Sequence, residues 1–143
     1  MLKIKCHIRV LFCLLSFNFW YAQELKFTAN FFLNENPLTN VQVSVYDMAK
    51  DKWIETIYTK NSSQYNIELE TGNNYKIVFS HPKTHKMFFE IVSNNMSEND
   101  LYNRYNYEID VDFIPATENV DTAVLSKQPV HRIIFNCQVS PGC

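Results

Sequence analysis

The sequence predicts an all-β protein: an antiparallel β-sandwich of about 7–8 strands, standing after an N-terminal signal peptide. Three observations carry this. Apolar and polar residues alternate along several short runs, the period of a strand with one buried face. Turn-forming clusters separate those runs at intervals of about 10 residues. The 143 residues include 11 Phe and 8 Tyr but only 2 Gly, a composition that suits strands.

The N-terminal segment comes first. Lys3, Lys5 and Arg9 precede the apolar run Val10–Trp20, which is broken only by Ser16 and Asn18, and Glu24 is the first acid. A positive start, a short apolar stretch and a small residue at Ala22 are the marks of a secretory signal peptide. The run is shorter than the roughly 20 apolar residues that a spanning helix needs. A lipoprotein cut before Cys13 would put Phe12 where a small residue is required. Trp20 is bulky for its place before Ala22, so the position of the cut stays open.

The strands follow in order. Leu25–Leu33 is a first, weaker run. Val41, Val43 and Val45 share one face of the next. Trp53–Thr59 is weaker again. Tyr65, Ile67 and Leu69 alternate with Asn66, Glu68 and Glu70, and Tyr75, Ile77 and Phe79 repeat the pattern. Met87–Ser93 is another candidate. From Tyr105 to Phe113 the alternation is cleanest, with Asn106, Glu108, Asp110 and Asp112 on the second face. Val130–Asn136 is the last. Turn chemistry lies between, at residues 34–37, 47–51, 61–63, 71–74 and His81-Pro82. One helical turn is expected over Ser97–Tyr102, with Ser97 as cap. The expected division is 1–22 signal peptide, 23–114 sandwich, and 115–143 a C-terminal extension with a last strand near 130–136.

Charge and cysteine usage narrow the function classes. The chain carries 13 Lys and Arg against 15 Asp and Glu. Removing residues 1–22 leaves 10 cations against the same 15 acids, a net charge of −5. Such a chain has no basic face for nucleic acid or an anionic membrane. Two glycines cannot build a phosphate-cradling loop, so no nucleotide cofactor is expected. The processed chain keeps Cys137 and Cys143 around Pro141-Gly142. They are either a disulfide that staples the tail, which an exported setting permits, or a pair of free thiols.

Four further groups bear on chemistry. His81 and His85, with Glu90, have the spacing of a helical metal site, but Pro82 and the turn around it remove the helix. A solvated loop follows, and no metal site is expected. Glu108, Asp110 and Asp112 form an acidic row whose same-face neighbours lie about 7 Å apart, too wide to hold one ion alone. The row reads as a solvated face, and His131 as a surface or edge residue. Trp53, Tyr46, Tyr58 and Tyr102 are candidates for an aromatic platform that takes sugar or peptide. No catalytic residue is assigned.

The runs Pro37-Leu-Thr-Asn-Val-Gln-Val-Ser-Val-Tyr46, Gln64–Gly72 and Asn74–Pro82 resemble the carboxypeptidase regulatory-like domain, with residues 107–113 and 128–135 similar to the tail of such domains in exported Gram-negative envelope proteins. The resemblance spans about Leu25 to Ser93. It departs at His81-Pro-Lys-Thr-His85, where the family has Lys-Pro-Gly-Tyr, and at Asn34 and Glu35, which stand in place of glycines. It implies a transthyretin-like (prealbumin-like), Ig-like sandwich that scaffolds or binds and does not catalyse. The expected function is a secreted, periplasmic or envelope module that binds protein or polysaccharide, without cofactors and without a membrane span in the processed chain. The alternative is a structural subunit of an envelope or surface assembly.

Overall fold

The computed structural model describes residues 24–97 and 104–135. The expected signal peptide, the expected helical turn after Ser97, Tyr102 and the Cys137–Cys143 segment lie outside the described residues. Within them the strands are β1 (Glu24–Leu33), β2 (Asn36–Pro37), β3 (Gln42–Asp47), β4 (Lys52–Tyr58), β5 (Gln64–Glu70), β6 (Asn74–Ser80), β7 (Met87–Val92), β8 (Tyr105–Asp112) and β9 (His131–Ile134). One short helix, α1 (Thr122–Lys127), precedes β9.

These strands make two sheets, as the alternation of apolar residues requires. In the first, β1 is central. It pairs antiparallel with β5, Leu25 against Leu69 and Ala29 against Tyr65. On its other side it pairs parallel with β8, from Leu25 against Tyr105 to Phe32 against Asp112. The second sheet runs in the order β4-β3-β6-β7-β9. Its pairs are antiparallel except β7 with β9. The two parallel pairs depart from the all-antiparallel expectation. Both involve strands that reach their place by crossing between sheets, so no hairpin fixes their direction.

The two-residue strand β2 was not expected as a strand. Asn34 and Glu35 both have positive φ, 51° and 64°, and Leu33 pairs with Asn36 across them. A two-residue turn with both φ positive matches the right-handed twist of the strands it joins. With glycine so scarce, Asn40, Asp51 and Lys60 also occupy the left-handed region.

The core lies between the sheets. Leu25, Phe27, Ala29, Phe31 and Val111 of the first sheet face Val43, Val45, Ile77, Phe79, Phe89 and Ile91 of the second, all buried. Phe31 meets Phe79 at 5.4 Å between ring centroids and Phe113 at 5.9 Å, both edge-on. Phe79 meets Phe89 at 5.1 Å. This string of rings ties the sheets at their centre in the edge-to-face geometry aromatic pairs prefer.

Each open side of the sandwich is closed by a tyrosine hydroxyl. Between β5 and β4, the buried Tyr65 donates to Glu55 Oε2 at 2.5 Å. Burial, reinforced by that carboxylate, pushes the Tyr65 phenol far above its ordinary range. Between β8 and β9, the Tyr107 hydroxyl lies 3.2 Å from His131 Nε2.

A buried acid anchors the β3–β4 hairpin. Asp47 is only 1% exposed, yet its Oδ1 accepts from the backbone N–H groups of Ala49 and Lys50, each at 3.0 Å. Its Oδ2 forms an ion pair with Lys50 Nζ at 3.3 Å, without the alignment of a hydrogen bond. Burial works against the charge, but the donors and the ammonium outweigh it and hold the carboxyl below its ordinary value. A carboxyl depressed by folding contributes stability that is present above the unfolded value, roughly 3.9, and is lost as pH falls through the folded one. In urea titrations from pH 6 downward, the stability gap between the native chain and Asp47→Asn is therefore expected to shrink with acid. A constant gap would contradict this.

Candidate functional site

The site lies on the outer face of the five-stranded sheet, away from the core. Outward residues there form rows, because antiparallel registers place them side by side. Tyr46 of β3 sits opposite Trp53 on β4 and Lys76 on β6. Lys76 is opposite Glu90 of β7, which is opposite Arg132 of β9. The next row contains Thr56, Ser44, Val78 and Phe88.

A β-bulge puts Trp53 in the first row. The β3–β4 register shifts between Val45 and Tyr46: Val45 pairs with Glu55 and Tyr46 with Trp53, leaving Ile54 as the extra residue. Strict alternation would give Trp53 the same face as Glu55 and Ile57, which point toward the core. The inserted residue turns it outward. Trp53 is consequently 56% exposed, with Tyr46 edge-on against it at 5.1 Å and 65°. The Tyr46 hydroxyl donates to Asp51 Oδ1, so the ring that props the indole is itself held at the hairpin end. That hydrogen bond, with a smaller contribution from desolvation and the carboxylate charge, raises the Tyr46 phenol.

Beside this pair the sheet surface is apolar. Val78 and Phe88 are buried although they point away from the core, and Lys76 lays its Nζ 3.9 Å over the Phe88 ring. Helix α1 forms the opposite wall. Asp121 caps it by accepting from the Ala123 N–H at 2.9 Å, and Ala123, Leu125 and Ser126 face the groove. The space enclosed is about 640 Å³, within the usual range of ligand clefts, about 300–1,000 Å³.

Of the four aromatic candidates, the structure brings Tyr46 and Trp53 together in this groove. Tyr58 shares their face but stands opposite Gln42, two rows along, and does not line it. Tyr102 lies outside the described residues, as do Cys137 and Cys143. His81 accepts from the Lys83 N–H through Nδ1 within its own loop, and His85 Nε2 lies 2.9 Å from the Glu118 carbonyl, which ties that loop to the segment after β8. Desolvation, with the Lys83 charge, lowers the His81 value. Among the described residues no cluster of three or more His, Cys, Asp or Glu could hold a metal ion. The acidic row is exposed, with the Asn30 amide donating to both Glu108 and Asp110 at 3.0 Å. No described helix is long and apolar enough to cross a membrane.

Sequence reasoning missed the floor and the far wall. A signal existed for each. Ile77-Val78-Phe79 and Met87-Phe88-Phe89 are continuous apolar runs, which mark strands covered on both faces. Asp121 before Thr122–Lys127, with Pro129 beyond, is the punctuation of a short helix.

No family model matches the chain, and no curated protein matches it. Among solved structures the chain is similar to catechol 1,2-dioxygenase from Acinetobacter sp. ADP1, inhibited by bound mercury. Sequence identity is 12% and the TM-score 0.47, over 78% of this chain and 58% of that one. A likeness of that size carries no inference about chemistry.

Proposed function

We propose that this protein is a non-catalytic, exported or envelope-located module of the carboxypeptidase regulatory-like type, and that it binds polysaccharide in the groove on its outer sheet face. The observation that carries the reading is the half-exposed indole of Trp53, held by Tyr46 beside an apolar floor. A large aromatic plane left in water at the mouth of a cleft costs stability, and binding uses such planes. The C–H face of a pyranose ring fits one. The family assignment draws support from Leu38, Val41, Val43 and Val45, which are all buried as its strand pattern requires.

Affinity electrophoresis of the full chain in gels of neutral and charged glycans tests the proposal. Retention is expected, and Trp53→Ala should weaken it by roughly tenfold or more, the loss of an anchoring aromatic. Retention unchanged by that substitution would remove the groove from the account. Capture of one protein partner with no glycan retained would replace the reading.

A second reading, a structural subunit of a surface assembly, draws on two edge strands. Ile54 and Tyr58 of β4 are exposed, as is Ile134 on β9 with the adjacent Val130, and edge strands with apolar side chains invite pairing with another chain. Sedimentation of the purified protein as a stable oligomer would favour it.

A further inference from the structure

Resting on the reading of the groove as a glycan site, we infer that its ligand is an acidic saccharide whose carboxylates are met by Lys76 and Lys86. The lining of the groove holds two ammonium groups, Lys76 and Lys86, and no acid. This is the reverse of the excess of acids in the whole chain, so the positive charge is local to the groove.

The neighbouring acids are already engaged. Glu90, opposite Lys76 in the row, is taken by Arg132, whose Nε and Nη2 lie 2.7 and 2.6 Å from its Oε2. Asp51, at the hairpin end, accepts the hydroxyl of Tyr46, and Asp121, at the start of α1, accepts the Ala123 N–H. The described ion pairs join Lys50 to Asp47 and Glu70, and Arg132 to Glu90. None uses Lys76 or Lys86. Lys76 lies on the Phe88 face, which fixes its position without neutralising it. Such an ammonium, beside an apolar floor, is poised to accept a carboxylate from solution.

The arrangement is also ordered for a sugar ring rather than a bare anion. Register places Trp53, Tyr46 and Lys76 in one line across three strands, spaced by the usual strand separation of about 4.8 Å. A pyranose on the indole would carry an equatorial carboxylate toward Lys76. Lys86, just before β7, offers the second charge at the other end of the Phe88 floor.

Titration calorimetry of the full chain with oligogalacturonate, with the same oligomer fully methyl-esterified, and with polyglutamate tests this. Oligogalacturonate is expected to bind, and its ester to bind roughly tenfold or more weakly, the loss of a charge-assisted contact. The double variant Lys76→Gln, Lys86→Gln should erase the difference between acid and ester, and Lys76→Arg should retain most of it. Circular dichroism confirms folding of each variant. Equal binding of acid and ester overturns the inference and leaves the glycan reading standing. Polyglutamate bound as tightly as the saccharide, with the same dependence on the lysines, overturns the saccharide. Binding of no glycan at all overturns the reading beneath it.

Discussion

Phe31→Ala is expected to remove about 3–5 kcal/mol of stability, the cost of a large buried aromatic together with the cavity it leaves. Phe31 is the ring through which the first sheet reaches the second, touching both Phe79 and Phe113, and it is fully buried. Its position in the central strand β1 gives the surroundings little room to collapse into the gap. Against a typical domain stability of about 5–15 kcal/mol, such a loss lowers the melting temperature by roughly 15 °C or more. Phe32 is the internal control. It is one residue along, points to the opposite face and is only half-buried, so Phe32→Ala should cost distinctly less. Thermal melts of the two variants decide the matter, and equal losses would mean that the core is not where the rings place it.

Tyr65→Phe is expected to cost about 1.5–3 kcal/mol, the range for a hydrogen bond to a charged acceptor. The ring keeps its packing, but Glu55 loses its donor beneath the sheet edge. The sign with pH is specific. A phenol whose folded value is raised contributes stability in full below its unfolded value, near 10, and loses it progressively as pH rises beyond that. The native chain should therefore weaken steeply in alkali. The Tyr65→Phe variant should weaken less, with a residual slope from Tyr75, whose phenol burial also raises. Guanidinium midpoints between pH 8 and pH 11 measure both limbs. Parallel limbs would show that Tyr65 is not a clasp.

The two sheets were legible because their inner faces follow an unbroken alternation. Val43 and Val45, Tyr65 and Leu69, and Tyr75, Ile77 and Phe79 lie where that pattern puts them. Three features escape it: a bulge, a second covered face and a buried turn acid. The bulge at Ile54 moves Trp53 to the other face by an insertion that the alternation cannot register. Val78 and Phe88 fall on outward positions yet are buried, because α1 and the Lys76 stem cover that face. Asp47 looks like an ordinary turn acid, and it does accept from the N–H groups of its own turn, but only the tertiary structure shows that it is buried. Alternation reports one covered face per strand. It is silent where a second layer covers the other.

The parallel pairing of β1 with β8 bears on how the chain matures. From Leu25 to Phe32, one flank of β1 is paired with a strand about 80 positions later in sequence, and contacts so distant form late and slowly. A polypeptide halted or cleaved before residue 104 would present that flank unpaired, with Leu25, Phe27 and Phe31 beside it. Such fragments are expected to associate through the bare strand, so biosynthesis and proteolysis carry an aggregation hazard of their own, separate from the edges of the folded sheet.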